Sequence, residues 1–393
     1  MSTLLRKIPI ARPSLGEAEA EAARRAILSG WITQGPEVAA FEQEFAAFVD
    51  APHACAVSNC TTALHLALHV LGVGPGDEVV TVSHSYIATA NAVRHCGAHP
   101  VFVDIDPATY NIDPRLIEAA ITPRTRAILP VHQIGLPCDL TAILEIASRH
   151  GLPVVEDSAC AIGSELRLDG QRWERIGRPH GTVACFSFHP RKVLTTGDGG
   201  MITTRAPELD RKFRLLRQHG MSISDTVRHS ARSIVFENYP ILGYNYRMTD
   251  IQAAVGRVQL RRLQAMLARR VELAENYSRA ICEIPGLEPP LIPSGTRANF
   301  QSYAVRVTGE FPLKRDELMQ ALLDRGISTR RGIMNAHQET AYAEVPSGPL
   351  PHSEAARDHV ILLPLYDSMS EEDQAWVIDS LLELAYEAGG RRL

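Results

Sequence analysis

Lys192 stands in ACFSFHPRKVLTTGDGGMITT, residues 184–204, among aromatics, hydroxyls and glycines. A lysine amine that is desolvated and close to positive groups gives up its proton and becomes a nucleophile for a carbonyl. Gly197, Gly199 and Gly200 follow it and permit a tight backbone return near a ligand. Three other stretches carry groups of matching use. Ser58-Asn59-Cys60-Thr61-Thr62 opens the helical run ALHLALHVLG. Hydroxyls at a helix start, with unpaired N–H groups and a positive dipole end, suit a phosphate. Tyr86, in SHSYIATANAV, offers a flat ring for stacking. Asp157 closes PVVED, and a carboxylate there is costly to bury without a partner. A protonated ring nitrogen is such a partner.

Alone, each feature has an ordinary reading: a helix cap, a core or surface aromatic, a cap of the next segment, a solvated lysine. Together they supply a phosphate cradle, a stacking ring, an anion for a pyridinium nitrogen and an amine for an aldehyde. Those are the parts needed to hold pyridoxal 5'-phosphate (PLP) and use it as an electron sink.

These residues need a scaffold that brings strand ends together. Short β-branched or apolar runs occur at Glu78–Val82, Pro100–Asp104, Ala127–Val131, Pro153–Glu156, Thr182–Ser187 and Gly200–Thr204. Most are separated by segments of helical spacing: Thr62–Leu71, Ala88–Cys96, Pro114–Ala120 and Leu140–His150. The alternation predicts an α/β domain with a mostly parallel sheet. Ligands bind beyond the carboxyl ends of such strands, where the residues above lie. The spacing then predicts one long helix over Asp250–Ile281, capped by Thr249 or Asp250. A Pro- and Gly-rich loop follows, then a strand in QSYAVRVT, a helix in KRDELMQALLDRG and a terminal helix from about Ser370 to Ala388. The expected division is an arm over residues 1–15, a large domain over 16–249, a connecting helix over 250–281 and a smaller α/β domain over 282–393.

The stretches SGWITQGPEVAAFE, VSNCTTALHLAL, GPGDEVVTVSHSYIATANAV, PVFVDID, VVEDSACAIGSE, FSFHPRKVLTTGDGGM and GYNYRMTDIQAAVG appear in that order. With them the chain resembles the DegT/StrS family of PLP-dependent sugar aminotransferases, closely over residues about 8 to 260 and in outline beyond. The resemblance implies the type I (aspartate-aminotransferase) fold, with a mostly parallel seven-stranded sheet in the large domain and a smaller C-terminal α/β domain. It implies that Lys192 binds the PLP aldehyde as a Schiff base and acts as the catalytic acid and base. Asp157 would pair with the pyridine nitrogen, Tyr86 would stack on the ring, and Thr61, Thr62 and Ser187 would hold the phosphate. Asn245, in GYNYRM, would reach the phosphate of a neighbouring subunit, which implies a homodimer with shared active sites.

Trp31 and Thr33 in GWITQGP, Arg247, and Arg331 and His337 in RRGIMNAHQ are candidates for substrate contact; each also reads as a surface ion pair or a satisfied polar group. Two positions depart from the family pattern. Cys60 stands where glycine is frequent, and Cys160 where glutamine or histidine is frequent, so Cys160 is a weaker cofactor contact. A family branch with histidine in place of the lysine acts as a dehydratase, so Lys192 favours transamination. The function expected is transfer of an amino group, with L-glutamate as donor, to a keto sugar linked to a nucleoside diphosphate. Alternatives are a free cyclitol or other keto acceptor, or a non-catalytic regulatory protein of the same fold.

The rest of the composition bounds the answer. The 393 residues are 45% hydrophobic and 22% charged, as in soluble globular chains. A formal net charge of -5 argues against a nucleic-acid binder. No apolar run reaches membrane-span length, and the N-terminus lacks a sustained hydrophobic segment, so no membrane partner and no signal peptide are expected. Seven dispersed cysteines with no CxxC pair fit reduced thiols and a cytoplasmic location. His65 and His69 have an i, i+4 spacing that can bind a metal, but no carboxylate completes an HExxH pattern, so packing and no metal are expected. The charges in RRLQAMLARRVELAE read as the wet face of the long helix.

Overall fold

A computed structural model describes residues 6–168, 170, 172–224, 228–229 and 231–387. Seven strands build the main sheet: β1 His53–Val57, β2 Glu78–Val82, β3 His99–Val103, β4 Thr125–Leu129, β5 Val155–Asp157, β6 Val183–Ser187 and β7 Gly200–Thr204. Pairing runs β1-β7-β6-β5 on one side and β3-β2-β4 on the other. Parallel bridges Ile128–Val154 and Val131–Asp157 join β4 to β5 and close the order β1-β7-β6-β5-β4-β2-β3. Only β7 runs antiparallel to its neighbours β1 and β6. The six predicted runs all appear as strands, and β1 (HACAV) is an addition. Its small, alanine-rich residues carry little strand propensity, so the run has no clear signature in the sequence.

Both faces of the sheet are covered, which is why its strands read as continuous apolar runs. Side chains alternate across a strand. Val80, Val82, Ile128, Ala184 and Phe186 join the layer that contains Phe41 and Phe45 of the helix Pro36–Val49. Val79, Ala127, Leu129, Val183 and Cys185 join the opposite layer, with Leu64, Leu66 and Leu68 of the helix Cys60–Val70.

The edge strand β1 would expose backbone groups that invite further pairing. Buried charges cover it instead. Glu42 accepts from the N–H of Ala56 at 2.9 Å and from Arg214 at 2.6 Å, and it pairs with the buried Arg217. Arg214 donates to the carbonyl of Ala54, and Arg217 to that of Ala56, each at 2.6 Å.

The helix Asp250–Ile281 has its predicted bounds. Thr249 is its cap, with Oγ1 accepting from the Gln252 N–H at 3.2 Å. Asp250 caps the helix Pro36–Val49 instead, accepting from the N–H groups of Gly35, Glu37 and Val38 at 2.8, 3.1 and 3.0 Å. The long helix contributes Ala253, Leu260 and Leu263 to the first core, and Leu273, Tyr277 and Ile281 to a second. The second core backs a four-stranded antiparallel sheet of β8 Leu287–Glu288, β9 Tyr303–Val307, β10 Arg330–Arg331 and β11 Val360–Leu363, ordered β8-β9-β11-β10. One residue of the expected wet face is an exception. Arg270 is buried and donates to the carbonyls of Phe300, Gln301 and Leu365, and burial pulls its guanidinium down to about 10. Among the described residues no helix is long and apolar enough to cross a membrane.

Burial pushes the Glu42 carboxyl up, but Arg217 and Arg214 outweigh it and hold it below the ordinary glutamate range. Its stabilisation is therefore present above the unfolded-state value and is lost as pH falls through the depressed one. Glu42→Gln should cost about 3–5 kcal/mol, because it leaves Arg217 charged and buried without its anion. Thermal melts across acid pH check this. An unchanged melting temperature in the variant would show that the network contributes nothing.

Candidate active site

The register of the sheet assembles the site. Asp157 ends β5 opposite Cys185 of β6, and Ser187 closes β6. The chain then turns, with the Lys192 N–H bonded to the carbonyl of His189 at 2.8 Å, and returns as β7. Gly200 starts β7 against the N-terminus of the helix Cys60–Val70. A Cβ on Gly200 would lie 2.6 Å from the carbonyl oxygen of Asn59 and 2.9 Å from the Cys60 nitrogen. Only glycine lets this strand approach the helix start so closely.

The Lys192 amine donates to Cys160 Sγ at 3.0 Å. The Asp157 carboxylate is buried, with Oδ2 accepting from Thr89 Oγ1 at 2.7 Å and Oδ1 from the Ala159 N–H at 3.1 Å. Burial pushes its carboxyl above the ordinary range, and Thr89, Ala159 and the Lys192 charge offset this only in part. A buried acid of this kind calls for a further cationic partner.

Lys192 departs from its expectation. The groups that act most on it, after burial, are not cations. Burial works against the ammonium, but Cys160, which accepts its hydrogen bond, and Asp157 outweigh it, so the amine holds its proton above the ordinary lysine range. Cys60 is buried at the helix start, and burial first of all keeps its thiol protonated.

At the start of the helix Cys60–Val70, Thr62 Oγ1 is already engaged, donating to the carbonyl of Asn59 at 2.7 Å and accepting from the Asn59 N–H at 3.3 Å in a capping box. Thr61 is half-buried one residue earlier in the same first turn. Ser187 Oγ accepts only a long 3.4 Å bond from the His189 N–H. Tyr86 is 66% exposed just past β2, so its ring is open to a ligand. Asn245 is exposed, pairs through its backbone with Gln218, and accepts from Arg247 at 3.4 Å.

The remaining candidates scatter. Trp31 is half-buried, its indole N–H bonded to the carbonyl of Gln34 at 3.1 Å. Thr33 is exposed and its carbonyl accepts from the Asp250 N–H at 3.1 Å. Arg331 is exposed on β10. Both ring nitrogens of His337 are in use, Nδ1 with Ser83 Oγ at 2.6 Å and Nε2 with Glu354 at 3.3 Å. His65 is buried, bonds Tyr246 through Nδ1 at 3.2 Å and packs on Tyr244, so it holds the segment that carries Asn245.

Sequence reasoning missed Thr89. Its signal is a hydroxyl pair one helical turn apart, Ser85 and Thr89, whose oxygens lie 2.7 Å from each other.

A model of the DegT/DnrJ/EryC1/StrS aminotransferase family matches residues 13–382. The chain belongs to this family. It is 40% identical over 382 residues to the spore coat polysaccharide biosynthesis protein SpsC of Bacillus subtilis, covering 96% of this chain and 97% of that one. The aminotransferase TlmJ from Streptoalloteichus hindustanus superposes with a TM-score of 0.87 at 37% identity, covering 96% of this chain and 98% of TlmJ. The PLP form of Spr1654 from Streptococcus pneumoniae superposes at 0.89 with 29% identity, covering 98% of this chain and all of the other. The fold is thus the type I fold of PLP-dependent aminotransferases, and the chain is a PLP-dependent member of this family of sugar aminotransferases. The residues present fit the cofactor. A lysine amine, a buried carboxylate in need of a cation and a helix start that tolerates no Cβ at Gly200 all converge.

Nucleophilic attack needs a neutral amine, and a raised lysine value makes that form scarce at neutral pH. The stability that goes with this proton is fully present below the unfolded lysine value and lost as pH rises through the folded one. The cofactor-free protein should therefore capture PLP faster as pH rises from about 7 to 10. Cys160→Ala removes a group that retains the proton and should move the rise to lower pH. Absorbance after mixing with PLP reads both, and a rate flat across that range would contradict the assignment.

Proposed function

We propose that this chain transfers an amino group from L-glutamate to a keto sugar carried on a nucleoside diphosphate, giving an amino sugar. The observation that carries the reading is the meeting of Lys192 and Asp157 at adjoining strand ends. Similarity to SpsC, a polysaccharide biosynthesis protein, supports a sugar acceptor. The reading includes a homodimer with shared sites, supported by the exposure of Asn245 on a segment clamped at both flanking tyrosines. It also includes the domain division at residues 16–249 and 282–393, and a cytoplasmic location, which seven unpaired cysteines suit.

In this reading Lys192 and Asp157 hold the two reactive ends of PLP, Tyr86 covers one face, and Thr61, Thr62 and Ser187 receive the phosphate, with Cys160 beside the amine. When bound, PLP supplies an aldehyde for the donor amine and a ring that withdraws electrons from the neighbouring carbon. The protein's part is proton handling and positioning. Asp157 keeps a proton on the ring nitrogen, because a buried carboxylate is best satisfied by a cation. With PLP bound, Lys192 Nζ in its neutral form would take the proton from the donor's α-carbon. In the second half it delivers a proton to the sugar carbon that receives nitrogen, so one amine serves both directions.

Lys192→Ala should lower turnover by about 10²–10⁴-fold or more, the usual share of a positioned acid–base group. Asp157→Asn should lower it by about 10²–10⁴-fold, from the roughly 3–5 kcal/mol lost when one partner of a buried pair is removed. Spectra of the PLP-loaded protein during titration with L-glutamate check both. Conversion of the cofactor band in wild type but not in Lys192→Ala supports the reading. A wild-type spectrum unmoved by glutamate removes glutamate as donor.

A further inference from the structure

Arg270 is a buried charge that the chemistry above does not use. It sits where the long helix passes from the first core, at Leu267, to the second, at Leu273. Among the described residues it forms no ion pair. Its guanidinium is spent on carbonyls, Nε on that of Phe300 at 3.0 Å and Nη2 on those of Gln301 and Leu365 at 2.6 and 3.2 Å. A buried guanidinium without an anion is costly. What it secures is the link Asn299-Phe300-Gln301, just before β9. Phe300 holds φ +48°, the left-handed region that a residue with a Cβ keeps only when its surroundings impose it.

Side chains on both sides of Phe300 reach the Lys192 site. Asn299 is buried, and its Nδ2 donates to the carbonyls of Cys160 and Ile162, each at 2.8 Å, while Oδ1 accepts from the Gln301 N–H at 2.8 Å. Gln301 Nε2 donates to the carbonyl of Arg191 at 2.8 Å. Gly135 closes around the same amide. Its φ is +91°, and a Cβ there would lie 1.8 Å from Asn299 Oδ1 and 3.0 Å from the Cys160 carbonyl oxygen. Cys160 is the residue whose sulfur accepts from the Lys192 amine, and Arg191 directly precedes Lys192. The link therefore grips the backbone at both ends of the 3.0 Å Nζ–Sγ contact.

We propose that Asn299 and Gln301, anchored on Arg270, are positioning residues that set the Lys192 amine against the Cys160 sulfur. This rests on the assignment of Lys192 above. Both gripped carbonyls lie outside the sheet, Cys160 in the loop after β5 and Arg191 in the turn between β6 and β7. Strand pairing ends before it reaches either, so their separation has to be set by something that spans the two loops. The link spans them. An amide suits the task because it holds a carbonyl without adding a charge beside the amine. A lysine or arginine at the same reach would weaken the hold of Lys192 on its proton. The charge that stiffens the link is instead kept one step back, on Arg270.

The test uses the full-length chain. Gln301→Met keeps the length of the side chain and removes the donor. Gln320→Met, the same exchange at an exposed glutamine bonded to Asp324, is the control. Each is made with and without Cys160→Ala. The quantities read are the melting temperature of the PLP-loaded protein, the pH profile of PLP capture by absorbance, and the rate of the glutamate half-reaction. Gln301→Met should melt close to wild type and move the capture rise to lower pH, in the direction expected for Cys160→Ala. It should slow the half-reaction about tenfold or more, since a misplacement of about 1 Å can cost about 10²-fold. With Cys160→Ala already in place it should shift the capture profile no further, because both act through one contact. Gln320→Met should change none of these. A wild-type capture profile in Gln301→Met overturns the proposal, and so does a shift that adds in full to that of Cys160→Ala. A lowered melting temperature with unchanged profile and rate makes the link a structural tie only and overturns it as well. Borohydride reduction of the loaded protein, followed by peptide mapping, locates the bound cofactor. A label away from Lys192 removes that assignment and the proposal with it. A wild type that captures PLP on Lys192 but does not react with glutamate removes glutamate as donor, and the capture profiles then decide the proposal alone.

Discussion

Two carboxylates follow one another in the chain at the end of β5, and both are buried. Alternation along the strand turns them to opposite faces. Glu156 meets His132 Nε2 at 3.1 Å and the Gly181 N–H at 2.7 Å, and these contacts hold it below the ordinary range although burial pushes it up. Asp157 has only a hydroxyl and one amide in contact, and burial wins. A buried carboxylate left short of a cation is expensive, and a fold retains one only where something else completes it. That unfinished charge is the constraint to which the neighbouring elements answer. Thr89 orients it, β6 sets Lys192 beyond it, and the glycine at the start of β7 brings the helix Cys60–Val70 up to the same place.

Much of this was legible because it is local. The apolar runs that became β2 to β7 are continuous for the reason parallel strands are, burial on both faces. Thr249 and Gln252 form a capping box within four residues, so the start of the long helix could be read directly. Asp157, Lys192 and Tyr86 were readable as strand-end residues once the alternation of strands and helices was seen. What escaped depends on distance along the chain. Arg217 and Glu42 are 175 residues apart, and nothing in either segment announces that together they cover the edge of β1. Asp250 looked like a cap for its own helix, and the structure gives it to another one 212 to 215 residues away. The proton affinity of Lys192 was misjudged for the same reason. Its sign depends on Cys160, which only the folded chain places beside it.

The two cores are joined by more than the long helix. Asp104, just past β3, accepts from the N–H groups of His352 and Ser353 at 2.9 and 2.8 Å and from the Ser353 hydroxyl at 2.6 Å. With the Ser83–His337 and His84–Asn335 contacts, this makes a second seam along the carboxyl ends of β2 and β3. His84 takes part as a neutral ring, since burial draws it down to about 4. The His84–Asn335 contact therefore carries no protonation change near neutral pH and holds the second sheet to the end of β2 irrespective of the titrations that the chemistry requires.

That fixed seam lets adjacent residues serve different purposes. Arg191 and Lys192 are neighbours in sequence, and both charges bear on His189, yet the groups that bear most on each differ. The groups that act most on Lys192, after burial itself, are Cys160, Cys60 and Asp157. The charge of Arg191 acts on Arg330 and, after burial, on His189. The two side chains differ in what they can do: the Lys192 amine can hand over its proton during reaction, and the Arg191 guanidinium cannot. A guanidinium stays charged at any pH the protein meets, and an ammonium suits the buried position because its proton can leave.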